Sequence, residues 1–221
     1  MLDFGFMILS RIGEFLIILP ALLAAIVFHE LAHGWVAWRL GDPTAKAAGR
    51  LSLNPLKHMD PIGTLVLFLT QAIGWAKPVP VNPTYFRNPR QDMMLVGLAG
   101  PVANFILAFG MAFLYRILPH FLSGMYPLLG PLTLDFGKIV STMLYIGVQI
   151  NIGLALFNLL PIPPLDGSRI LAGILPSRLA YIYLRYEYLG FIFLVALVFT
   201  GLVGKIILPV IITLTRLFLG G

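Results

Sequence analysis

"AAIVFHELAHGW", residues 24–35, sets two histidines and a glutamate directly behind a long apolar run. Ionisable side chains are costly inside a membrane span, and where they occur they usually serve a function. Two linked questions follow: whether the run crosses a bilayer, and what three polar groups do within it.

Composition answers the first. The 221 residues are 59% hydrophobic and only 11% charged, and the mean hydropathy is +0.93. A soluble domain carries about 25% charged residues, and a spanning helix needs about 20 consecutive apolar ones. The expected fold is an all-α polytopic membrane protein, a bundle of about 5–6 membrane helices or segments with a short re-entrant or strand-like element. The net charge of +6 does not indicate nucleic acid, because the Lys and Arg residues are scattered between apolar runs, where they set orientation in the bilayer. Cysteine is absent, so any metal rests on nitrogen and oxygen ligands. "ALLAA" (21–25) imitates a signal-peptide cleavage region, but no basic residue precedes the apolar stretch, and the segment reads as a retained span.

Five apolar segments are legible: about Arg11 to Trp38, "PIGTLVLFLTQAIGW" (61–75), about Met93 to Leu118, about Ile139 to Leu160, and about Tyr188 to Leu219. The last is interrupted by Gly201, Gly204 and Lys205, giving two short spans or a span and a re-entrant piece. The chain reads as one membrane-embedded domain, 1–221, with core segments at about 11–39, 92–118 and 138–170 and peripheral helices at about 180–219. Arg39, Lys46, Arg50 and Lys57 precede the short second segment, and Lys77, Arg87 and Arg90 follow it. A crossing there would put basic groups on both sides, against the positive-inside tendency; a segment that dips and returns keeps all seven in the cytoplasm. The loop expected at 119–137 has no Lys or Arg and falls outside. "GRLSLNP" (49–55) alternates apolar and polar residues, a strand signal. "KPVPVNPTYFRNP" (77–89) carries four prolines and should be extended. Tyr181 to Tyr188 reads as an interfacial aromatic anchor.

The second question turns on "HELAH". On a helix His29 and His33 share a face and can reach one ion, and Glu30 adjoins the first of them, free to act as a base. If Arg39 marks the cytoplasmic helix end, His29 lies about 15 Å deep at 1.5 Å per residue, too far inward for a helix end merely meeting headgroups. Catalytic zinc takes three protein ligands, so one is missing. Position 39, where a third histidine would complete a related zinc motif, holds Arg39. His58 and His120 remain, with Glu14, Glu187, Asp3, Asp42, Asp60, Asp92, Asp135 and Asp166. Asp166 stands out because it follows an apolar span within "NLLPIPPLDG", where three prolines forbid an ordinary helix and Gly167 permits a turn. A simple span terminator is the competing reading of that stretch. His58, alone in a loop, is expected to satisfy local backbone.

"HELAH", "GPVAN" and "NLLPIPPLDG" together resemble the site-2 protease family of intramembrane zinc metalloproteases, in its compact bacterial form without PDZ or CBS domains. The resemblance covers nearly the whole chain. It implies one zinc ion on His29, His33 and Asp166, with Glu30 as catalytic base and proton shuttle. It also implies that Asn158 holds the substrate backbone and that Asn104 of "GPVAN" packs or hydrogen-bonds behind the ligands. The implied substrate is a transmembrane protein, the implied partner surface the lipid bilayer, and the implied location a bacterial inner membrane with the site toward the cytoplasm. A membrane zinc transporter or a zinc-dependent scaffold is the alternative. A prenyl protease using the same motif would need Glu187 as third ligand. The oligomeric state is left open.

Overall fold

The computed structural model describes residues 2–70 and 75–221. Among them nine α-helices follow in order: α1 (Leu2–Arg39), α2 (Thr44–Ala47), α3 (Pro61–Thr70), α4 (Pro89–Leu129), α5 (Leu132–Asn158), α6 (Asp166–Ile174), α7 (Ser177–Arg185), α8 (Glu187–Phe199) and α9 (Leu202–Leu219). Four of these are long and apolar enough to cross a membrane, and α7 with α8, bent by 63°, supplies a fifth candidate. The protein is a multi-pass, all-helical membrane protein.

Helix α4 is the hub, packed against α1, α5, α6 and α9. Small residues make that closeness possible, since bilayer helices associate by packing and not by apolar burial. Ala108 and Ala112 of α4 meet Val148 and Ile152 of α5, with Ile211 and Leu214 of α9 closing the cluster. A methyl group on Gly147 would lie 2.6 Å from Met111 Sδ. A second cluster joins Ala37, Phe86 and Val96, fixing the end of α1 and the proline-rich segment to the start of α4. Arg39 stacks over Trp35 and Lys46 over Trp38 at the same end of α1, the pairing expected where a helix leaves the hydrocarbon.

Three expectations change. The strand read from 49–55 is not formed: residues 51–53 are bends, and Asn54 caps a short 3₁₀ turn, its Oδ1 accepting from Leu56 N at 3.0 Å. Alternation needs a neighbouring strand to become a ladder, and the Asn-Pro pair diverts the backbone into a local turn instead. The loop expected at 119–137 is largely helix, because α4 runs for 41 residues through Pro101, Pro119 and Pro127. A proline removes one helical hydrogen bond but leaves the rest. The break falls at Gly130, whose φ of +58° suits glycine. The C-terminal stretch divides at Gly201, φ +70°, whereas Gly204 and Lys205 lie inside α9.

The short second segment does return. Met59 and Ala76 form an isolated antiparallel bridge, and Lys77 N donates to His58 O at 2.9 Å. Residues 71–74 of that segment lie outside the described residues. Its two ends nevertheless stand side by side, and a methyl on Gly63 would strike the Trp75 carbonyl at 2.2 Å.

Candidate active site

Helical periodicity puts His29 and His33 on one face of α1, and both are buried. Their Nε2 atoms are 3.0 Å apart. Asp166 reaches the same point from the other end of the sequence: α5 stops at Asn158, the prolines hold 159–165 out of helix, and α6 begins at Asp166. Its Oδ2 lies 3.1 Å from each Nε2. Gly167 contributes here, though not by a left-handed turn, since its φ is not positive. It lets α6 press against the end of α5: a Cβ there would lie 2.3 Å from Leu159 O and 2.4 Å from Leu160 O.

Hydrogen bonds behind the histidines decide which nitrogen faces forward. His33 Nδ1 is 2.7 Å from the Val96 carbonyl, an acceptor only, so Nδ1 carries the proton. His29 Nδ1 is 2.6 Å from Asn104 Oδ1. The orientation of that amide is set by its other end, where Nδ2 donates to Ala25 O at 3.0 Å and Asn151 Oδ1 at 2.8 Å. Asn151 in turn donates to Gly147 O at 2.9 Å. Both imidazoles thus use Nδ1 as the donor, which leaves Nε2 of each, 3.0 Å apart, as the nitrogen that can offer a lone pair to a metal. Asp166 would join them as a carboxylate, the form that ligates a metal.

Three buried lone-pair atoms in a near-equilateral triangle repel one another unless a cation joins them. Zinc bonds of about 2.0–2.2 Å in tetrahedral array hold ligand atoms roughly 3.3 Å apart, and the observed 3.0–3.1 Å edges are close to that. Buried Asp166 Oδ2 accepts no well-directed hydrogen bond. Room for an ion comes from Gly100 on α4: a Cβ there would lie 2.5 Å from His33 Nε2 and 2.7 Å from His29 Nε2. The residues fit one zinc ion. Among the described residues this is the one such group of potential ligands, so Glu187 at the head of α8 is not the third member.

Glu30, beside His29, opens onto a cavity of about 340 Å³ also lined by Asn158, His58, Trp75, Leu23 and Phe157. Glu30 Oε2 accepts from Val79 N at 2.8 Å. Asn158 Nδ2 donates back to Leu154 O at 3.0 Å, and its Oδ1 has no hydrogen bond among the described residues. His58 is fully buried with Nε2 2.7 Å from Ser52 O, the local backbone contact expected of it. Sequence reasoning passed over Gly100, Val79 and Asn151. Asn151 had a signal: it is an amide inside an apolar span, on the face of α5 that also carries Asn158 seven residues later.

Residues 17–201 match Peptidase family M50. The chain is 43% identical over 190 residues to "Putative zinc metalloprotease YwhC" of Bacillus subtilis, covering 86% of this chain and 83% of that protein. It is 32% identical to "Putative zinc metalloprotease Rip2" of Mycolicibacterium smegmatis, over 72% of this chain and 57% of that one. It is 27% identical to "Zinc metalloprotease MJ0392" of Methanocaldococcus jannaschii, over 73% of this chain and 35% of that longer protein. No solved structure matches. A zinc-fitting triad inside a helical membrane bundle and a family match over most of the sequence lead to one conclusion: the chain belongs to Peptidase family M50, the zinc-dependent site-2 proteases.

Proposed function

We propose that this metalloprotease, acting as one domain over residues 1–221, hydrolyses a peptide bond in or near a transmembrane segment of another protein, with its site opening toward the cytoplasm of a bacterial cell. The observation that carries the reading is the convergence of His29, His33 and Asp166 beside Glu30 on one cavity. His29, His33 and Asp166 would hold zinc, a Lewis acid that polarises a carbonyl and makes water acidic enough to ionise near neutral pH. Glu30 takes the proton from the attacking water and returns it to the leaving nitrogen. Asn158, on the same cavity with a free Oδ1 and a bonded Nδ2, holds the substrate backbone beside the reacting bond. Asn104 fixes the His29 ring.

A substrate helix hides its amides, so it must unwind before attack, and the freed groups need partners. The cytoplasmic orientation rests on charge. Arg39, Lys46, Arg50, Lys57, Lys77, Arg87 and Arg90 bracket elements whose ends meet beside the mouth of α1. Each relative is a metalloprotease by name, which leaves the transporter and scaffold alternative without support.

The test is Glu30→Gln in purified protein with a model membrane substrate. Zinc content should stay at one per chain while cleavage falls by about 10²–10⁴-fold, the usual contribution of a general base. Undiminished cleavage would remove Glu30 from its role, and loss of zinc would make it a ligand instead.

A further inference from the structure

Within Pro78–Val79–Pro80 there is one backbone donor, because proline has no N–H. That donor, Val79 N–H, is the one that meets Glu30 Oε2, at 2.8 Å. We propose that this proline-flanked amide is a positioning group for the catalytic base: it pins one oxygen of the Glu30 carboxylate so that the other stays aimed at the cavity. The proposal rests on the role of Glu30 given above.

The sequence makes the donor rigid. Lys77 and Val79 each precede a proline and are therefore confined to extended backbone, and the prolines fix their own φ. The segment is then tied down on both sides. Lys77 N donates to His58 O at 2.9 Å, and Lys77 O accepts from the Arg50 guanidinium. Asn82 N donates to Asp42 Oδ2 at 2.7 Å, inside a fully buried Asp42. Between these anchors the Val79 side chain rests on Gly34, one turn beyond Glu30: its Cγ1 is 3.1 Å from where a Cβ on Gly34 would sit. The amide is therefore held against α1 at the level of the base by contacts independent of the carboxylate.

Glu30 Oε1 has no hydrogen-bond partner among the described residues, while the residue lines the cavity with His29 and Asn158. A carboxylate otherwise turns freely about its last torsion, which is broad. One pinned oxygen removes that freedom and leaves a single defined site for proton transfer, the preorganisation on which rate depends.

Val79→Pro deletes the N–H while keeping the extended backbone, and Val79→Ala keeps the N–H while removing most of the side chain. An ester in place of the Val79 amide, introduced as the α-hydroxy acid, deletes only the donor and serves if the proline variant fails to fold. Full-length protein carrying each change is assayed for zinc content, kcat and KM on a model membrane substrate. The expected result for the proline and ester variants is one zinc per chain, kcat lower by about 10- to 100-fold and KM nearly unchanged. Val79→Ala should stay within about threefold of wild type in kcat. Wild-type kcat in the ester variant overturns the proposal, and so does a rise in KM at constant kcat, which would make the segment a substrate contact. If Glu30→Gln is itself fully active, the underlying reading of Glu30 fails; if it is inactive while the ester variant is fully active, only the positioning proposal fails.

Discussion

His29 Nδ1 and Asn104 Oδ1 lie 2.6 Å apart in the middle of the bundle, and neither group can turn without stranding a buried partner. Asn104 is locked by Ala25 O and Asn151, and Asn151 by Gly147 O. The tautomer of one candidate metal ligand is thereby set by carbonyls on two other turns of helix. Replacing Asn104 by Ala should weaken zinc binding by about 10- to 100-fold, the usual effect of losing a ligand's outer partner. Asn151→Leu should act in the same direction with a smaller effect. Competition against a chelator of known affinity measures both, and unchanged affinity in the Asn104 variant would refute the coupling.

Gly100 gives a test that touches no ligand. Its missing side chain leaves the space in which both Nε2 atoms sit within 2.7 Å of a would-be Cβ. Gly100→Ala should abolish stoichiometric zinc and cleavage together. Gly110→Ala, ten residues along the same helix with nothing within 4 Å, should retain both. Metal analysis of the two purified proteins decides the matter.

At Gly167 the obstacle is backbone. A methyl there meets two carbonyl oxygens at 2.3 and 2.4 Å, and neither can withdraw as a flexible side chain would. Gly167→Ala should destabilise the fold by about 1–3 kcal/mol, as overpacking does, and shift Asp166 off its 3.1 Å contacts. A lower thermal midpoint with reduced zinc affinity is the expected pair of readings; a neutral midpoint would contradict the packing.

Zinc removal is a fourth test. An ion that binds only the folded site stabilises it by about 2.7 kcal/mol when present at a hundred times its dissociation constant. Chelation should therefore lower the midpoint of wild-type protein and leave that of Asp166→Ala nearly where it was. Equal shifts in both would place the ion elsewhere.

Much of this site was legible because its chemistry leaves rare letters in an apolar text. The HELAH spacing, and a lone aspartate behind three prolines, were visible without coordinates. The return of 61–75 was legible in its flanking charges. Other features were hidden for physical reasons. An absent side chain, as at Gly100, has no chemical signature until a neighbour is seen to need its room. A backbone donor such as Val79 N is common to nearly every residue, and only the flanking prolines single it out. The 49–55 alternation misled because a strand is a property of two partners, and none is present there. The third segment, read as ending near Leu118, continues to Leu129 because each proline inside α4 removes one helical bond and leaves the rest intact.

The two imidazoles and the carboxylate leave the ribosome far apart in time, one pair early and the other near the last quarter of the polypeptide. An unfinished molecule, or one cut short before "LDG", carries His29 and His33 but lacks Asp166, the third member of the group that could hold an ion. The three-membered group thus exists only once both parts of the polypeptide are made and packed together.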